Sequence, residues 1–216
     1  MAKSIKIESP KLPVTLTQAN FQDVFYEEEP FLSECVIANT VIANESIERL
    51  ILSKVHFKNV RFIGVTFRKI DLTDVVFENC DLSNASFCEG LIHRVKFDNC
   101  KLLGLNFAEA NLGNVSFDKC IANLCDFSET RLKQVVFQET SLQSANYFEC
   151  QFNKVIFNHC NLNEVDFSQT SLKGVNISTC RFERLLVTLE SLKGCEVSSA
   201  QAVGFASLLG LKVIEN

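Results

Sequence analysis

Between Leu32 and Val197 every fifth residue is apolar, and the register never slips across 34 positions. The central part of the series reads Phe57, Phe62, Phe67, Leu72, Phe77, Leu82, Phe87, Ile92, Phe97, Leu102, Phe107, Leu112, Phe117, Ala122, Phe127, Leu132, Phe137, Leu142 and Tyr147. Fourteen of the chain's 19 phenylalanines sit on it. A period of five suits neither an α-helix, at about 3.6 residues per turn, nor a strand, at 2. Each five-residue unit must therefore turn the chain by a fixed angle, and the units must stack. Self-similarity at a short fixed period predicts an all-β solenoid with one continuous core.

Two further positions repeat with the same period. Two residues before each apolar centre stands a small or β-branched residue, for example Val75, Cys80, Ala85, Val95, Cys100, Ala110, Cys120, Cys125, Thr130 and Thr140. A large centre with a small partner predicts that both point inward. The position just before the centre is often Asp or Asn, as at Asp81, Asn106, Asn111, Asp126, Asn146, Asn161 and Asp166.

Units such as Ala110-Asn111-Leu112 and Val165-Asp166-Phe167 resemble the pentapeptide-repeat proteins. The resemblance covers about three quarters of the chain and implies a right-handed quadrilateral β-helix with four pentapeptides per coil. Counting supports a twenty-residue period independently. Phe57, Phe77, Phe97, Phe117, Phe137 and Phe157 form one series at that spacing, and Phe67, Phe87, Phe107, Phe127, Tyr147 and Phe167 another. Between them lie two mainly aliphatic series, with Leu82, Leu102, Leu142 and Leu162 in one and Leu72, Ile92, Leu112 and Leu132 in the other.

The repeat divides the chain into an N-terminal cap or extension (1–31), the β-helix (32–197) and a C-terminal segment (198–216). All three prolines, Pro10, Pro13 and Pro30, fall in the first part, where no coil needs their missing N–H. Residues 198–210 read as a short helix with Ser198 or Ser199 as N-cap and Gly210 as stop, followed by a short strand at Val213 and Ile214. This ending is similar to that of the Qnr-type and MfpA-type pentapeptide-repeat proteins, where such a segment joins two rods end to end. The resemblance implies a homodimer through Phe205, Leu208, Leu209, Leu211, Val213 and Ile214. The alternative is a cap that buries these residues in the monomer.

Ten cysteines invite a disulfide or zinc reading, but no C-x-x-C spacing exists, and all except Cys88 fall on the small inward position. They are expected to be small buried hydrophobes. The first residues lack the apolar core of a signal peptide, and no run approaches a membrane span. The expectation is a cytoplasmic protein without a membrane partner.

His56, His93 and His159 fall on outward positions in different coils, and no nucleophile–base pair or phosphate loop recurs. The chain is expected to be no enzyme, with no catalytic residue, cofactor or metal. Charge is more informative. Residues 71–170 hold 14 acids and 7 bases. One wall carries Glu89, Glu109, Glu129 and Glu149 at one outward position per coil, with Asp126 and Asp166 beside them and no Lys or Arg in these units. The bases Arg94, Arg131, Lys133, Lys154 and Lys173 gather on the neighbouring wall.

Like charges stacked about 5 Å apart repel by about 0.8 kcal/mol per pair in water. The acidic wall is either a solvated, solubilising face or a stripe presented to a basic groove. Taken with the Qnr-type resemblance, the second reading implies a DNA mimic that binds a type II topoisomerase, DNA gyrase or topoisomerase IV. It would inhibit the enzyme or protect it from quinolones without binding nucleic acid itself. The Gram-negative relatives carry loops that interrupt their coils, and 32–197 has none, so inhibition is the expected outcome. The alternative is a generic repeat scaffold with another protein partner.

Overall fold

Twenty-residue spacing in the sequence is hydrogen-bond register in the structure. In the computed structural model, which describes residues 6–25 and 29–214, each coil lies directly on the previous one. The strands are β1 (Thr17–Gln18), β2 (Phe31–Ser33), β3 (Cys35–Ala38), β4 (Val41–Ala43), β5 (Ile51–Ser53), β6 (His56–Lys58) and β7 (Arg61–Ile63). The full-length strands that follow are β8 (Asp71–Glu78), β9 (Leu91–Asp98), β10 (Asn111–Asp118), β11 (Arg131–Gln138) and β12 (Gln151–Asn158). All pairings are parallel, and Phe77, Phe97, Phe117, Phe137 and Phe157 are exact Cα partners up the stack. The protein is a parallel four-sided β-solenoid.

The four walls differ because the residue before each centre differs. On the first two walls it is often long or β-branched, as at Leu91, Arg131, Val76, Val136 and Ile156, and two units run together as one eight-residue strand. On the third and fourth walls it is mostly Asp, Asn or Ser, and the chain bends. There the side-chain oxygen accepts the N–H two residues on, from Ser83 to Asp81 (3.0 Å), Ala108 to Asn106 (2.7 Å), Phe148 to Asn146 (3.0 Å) and Asn163 to Asn161 (3.2 Å). Asn and Asp favour this local turn over a ladder. Each corner is made by one residue in the left-handed region, from Glu34 (φ 50°) to Gln169 (φ 59°), with Gly64, Gly104 and Gly174 in the same role.

Inside, the second and fourth walls are aromatic, as the twenty-residue series predict. Phe97 and Phe117 stack at 4.9 Å and Phe127 and Tyr147 at 4.7 Å, while Phe117 and Phe127 meet edge to face across the core at 6.1 Å. Both geometries are favoured by the ring quadrupole. The small positions are buried too, and they do more than fill space. The thiols of Cys100, Cys125, Cys150 and Cys160 donate to the carbonyls of Phe77 (3.3 Å), Leu102 (2.9 Å), Phe127 (2.9 Å) and Phe137 (3.4 Å), each 23 residues earlier. The hydroxyls of Thr130 and Thr140 do the same to Phe107 and Phe117, both at 3.2 Å. A Cys or Thr at this position is thus a small residue that also satisfies a buried carbonyl of the coil below. The cysteines are free, and burial pushes Cys150 up to about 12, which keeps it a thiol.

Tyr147 stands in an aromatic stack otherwise built of phenylalanine, and its buried hydroxyl has no hydrogen-bond partner among the described residues. Burial, helped by the nearby Cys125, Cys150 and Cys160, pushes its titration well above the usual tyrosine value. An orphan buried hydroxyl costs about 1–3 kcal/mol. Tyr147→Phe is therefore expected to stabilise the rod by an amount in that range in urea unfolding. A loss of stability instead would show that the hydroxyl is paired, for instance through a trapped water.

Both ends depart from the repeat. At the N-terminal end a 3-10 helix, Phe21–Phe25, inserts Phe21 and Val24 into the core, with Phe21 5.7 Å from Phe67. Residues 6–11 do not cap that end. They run along the side of the rod as an extension, so the segment expected as a cap or extension over 1–31 holds both kinds of structure; residues 1–5 and 26–28 of it lie outside the described residues. At the other end the last coil still stacks in register, with Arg181, Leu186 and Glu196 bridged to Asn161, Asp166 and Asn176, but one of its corners is altered. Helix α1 (Leu189–Leu192), capped by Thr188, replaces a corner, and Phe182, Val187, Leu192 and Val197 are only half-buried. Helix α2 (Ser199–Phe205) starts from a capping box between Ser198 and Gln201. The Gln201 amide then donates to the carbonyls of Ile177 (3.0 Å) and Cys180 (2.9 Å), which fixes the helix on the last coil. A 3-10 turn, Ala206–Leu209, ends at Gly210, whose φ is 72°. The strand expected at Val213 and Ile214 is absent. A strand needs a neighbouring edge, and none of the described residues offers one there.

Candidate functional site: an acidic corner column

The four glutamates stand where the fourth wall turns into the first. Glu89, Glu109, Glu129 and Glu149 have φ of 58°, 60°, 56° and 54°, so each is a corner residue. Their N–H groups are used by the next coil, as in Glu109 to Ser128 (2.9 Å) and Glu129 to Phe148 (2.9 Å). The backbone thus fixes the column's spacing at one coil, about 4.8 Å, and leaves the carboxylates outside.

The structure separates the six predicted acids into three groups. Glu89 is neutralised: Arg68 forms a close ion pair with it and Lys69 lies at 4.0 Å. These bases belong to the same wall one coil earlier, before the stretch free of Lys and Arg begins. Asp126 and Asp166 are half-buried and hold turns, accepting from the N–H of Ser128 (3.0 Å) and Ser168 (2.7 Å); Asp126 also accepts from the Asn146 amide at 3.0 Å. Glu109, Glu129 and Glu149 are exposed, and none pairs with a cation among the described residues. They form the free part of the column. Phe148, half-buried beside Glu149, adds an aromatic surface to the same wall. Its outward position, where the neighbouring coils carry Ala108, Ser128 and Ser168, is the sequence signal that could have found it.

The neighbouring first wall keeps exposed Arg131, Lys133, Lys154 and Lys173, whereas Arg94 is tied to Asp74 at 2.6 Å. The predicted dimer residues also divide. Phe205 is half-buried against Phe182, with ring centroids 5.7 Å apart. Leu208, Leu209, Leu211, Val213 and Ile214 remain exposed at the end of the rod, Ile214 at 75%. Among the described residues no group of three potential metal ligands comes together, and no helix is long and apolar enough to cross a membrane.

Residues 51–89 match the family described as pentapeptide repeats (8 copies), and residues 90–167 match the pentapeptide repeat region family. The two matches adjoin and together span more than half of the chain. The chain is a pentapeptide-repeat protein. A curated relative, the uncharacterized protein YisX of Bacillus subtilis, is 41% identical over 72 residues, which is 33% of this chain and 34% of YisX. The pentapeptide-repeat rod thus matches only about a third of that relative's length. Among solved structures, a trypsin-treated form of QnrB1, a plasmid-mediated fluoroquinolone resistance protein, covers 83% of this chain and 99% of its own at 19% identity, with a TM-score of 0.47. HetL, a pentapeptide-repeat protein involved in heterocyst differentiation regulation in the cyanobacterium Nostoc, covers 77% of this chain and 86% of its own at 15% identity, with a TM-score of 0.32.

Proposed function

We propose that this pentapeptide-repeat protein is an interaction protein that occupies the DNA-binding groove of a type II topoisomerase, DNA gyrase or topoisomerase IV, as a DNA mimic. The observation that carries this reading is the column Glu109–Glu129–Glu149, three carboxylates with no cation partner among the described residues, at fixed spacing along the rod. Proteins that hold DNA do so largely through its phosphate charge, and a rigid row of carboxylates offers the same sign without a flexible backbone. The sequence resemblance to Qnr-type proteins supports the choice of enzyme. The coils run without an inserted loop from β2 to β12, which favours inhibition over drug protection. A cytoplasmic location goes with such a partner.

In the same proposal the exposed apolar end around Leu209, Leu211 and Ile214 joins two rods into a homodimer. Sedimentation at micromolar concentration reads the mass directly, and a monomer there would remove the dimer from the account. Binding to the enzyme is tested with purified gyrase passed over immobilised protein. Saturable binding that weakens as salt rises is expected, since exposed charges are screened within about 8 Å at physiological ionic strength. No binding at tens of micromolar would leave a repeat scaffold with a different partner.

A further inference from the structure

Of the non-glycine residues that hold left-handed corners among the described residues, Leu124 (φ 59°) is the only apolar one. Such a backbone disfavours a side chain that can form no local hydrogen bond. Leu124 is also 59% exposed, so burial does not offset the strain. Strain of this kind, kept without a packing gain, marks functional surfaces. On the same corner Gly104 lies one coil below and Ser144 one coil above, and Leu124 stands out between them. Ile121, three residues earlier on the third wall, is 50% exposed and extends the apolar surface.

Leu124 and Glu129 are the two corners that bound the fourth wall within one coil. Between them only Asp126 and Ser128 face outward. Both are short and tied into their turn, with the Ser128 N–H on Asp126 at 3.0 Å. Ala108 lies one coil below Ser128. The wall is thus a low floor with a row of carboxylates along one edge and an apolar knob on the other. Charge complementarity to the carboxylates selects a basic partner surface. A leucine knob selects an apolar pocket in that surface, the arrangement in which a few residues carry much of an interface's affinity. The DNA backbone supplies the charge but no such knob.

We propose that Leu124, with Ile121 beside it, is an apolar anchor for the same partner that meets the glutamate column, and that this partner's basic DNA-binding groove carries an apolar pocket on one bank. The anchor presupposes the topoisomerase partner proposed above and distinguishes the rod from DNA itself. The test is Leu124→Asn in the full chain, read for both stability and binding. Asn already fills this corner at Asn44 and Asn84 and tolerates a left-handed backbone. The variant is expected to unfold at the same or a higher urea concentration than the unaltered protein, yet to bind immobilised gyrase about tenfold more weakly. The salt dependence of binding should be unchanged, because no charge is altered, whereas reversing the glutamates should flatten it. Ile121→Ser, which copies Ser141 one coil above, should weaken binding in the same direction. Equal binding by Leu124→Asn and the unaltered protein would overturn the anchor and leave the topoisomerase partner standing. A fall in urea stability would overturn the anchor too, since Leu124 would then be a packing residue. No binding by the unaltered protein would remove the topoisomerase partner and the anchor with it.

Discussion

Phe127→Ala is expected to lower the stability of the rod by about 3–5 kcal/mol in urea unfolding, the usual cost of truncating a fully buried aromatic. Phe127 is 0% exposed. It stacks on Phe107 at 5.0 Å and Tyr147 at 4.7 Å and meets Phe117 and Phe137 edge to face at 6.1 and 5.9 Å. Truncation therefore opens a gap shared by three coils. A solenoid coil contacts mainly its neighbours, so no distant part of the chain can move in to fill it. Phe107→Ala, in the same stack and also 0% exposed, is expected to cost a similar amount. A loss below about 1 kcal/mol for either would mean that these rings do not stack inside the rod.

The second large effect concerns binding. The triple variant Glu109→Lys, Glu129→Lys, Glu149→Lys is expected to keep the β-solenoid circular dichroism spectrum and to bind gyrase about 100-fold more weakly, at about 1 kcal/mol per reversed charge. The fold should tolerate the change because these side chains are exposed and pair with nothing among the described residues. Lysine already occupies this corner column at Lys69 and the same left-handed backbone conformation on other corners at Lys119 and Lys154. Glu89→Lys is the internal contrast. Glu89 is already neutralised by Arg68 and Lys69, so reversing it should change gyrase binding only a few fold. If the triple variant binds as well as the unaltered protein, the column is a solvated face and the enzyme contacts another surface.

Most of the rod is legible from one regularity. The centres, the inward small residues and the two aromatic walls follow from a period of five nested in a period of twenty, because a stacked coil repeats its environment at each turn. What escaped the sequence has a common physical origin: it depends on neighbours that periodicity does not mark. Glu89 is ion-paired by bases 20 and 21 residues earlier. Asp126 and Asp166 look like surface acids until their turns are seen to use them. Residues 6–11 contact residues 63 to 128 positions away through their backbone, and backbone contacts leave no trace in residue type. At Leu189–Leu192 the apolar register persists while a helix takes the place of a corner, since Thr188 Oγ1 caps that turn by accepting the Ser191 N–H at 3.1 Å. Val213 and Ile214 have strand-forming side chains, but a strand also requires an edge to pair with.

The most direct measurement is the rate of DNA supercoiling by gyrase as this protein is added, with and without a fluoroquinolone. The account predicts inhibition without the drug, relieved when Glu109, Glu129 and Glu149 are reversed. Unchanged supercoiling in both arms, at concentrations where the rod is folded, would contradict it.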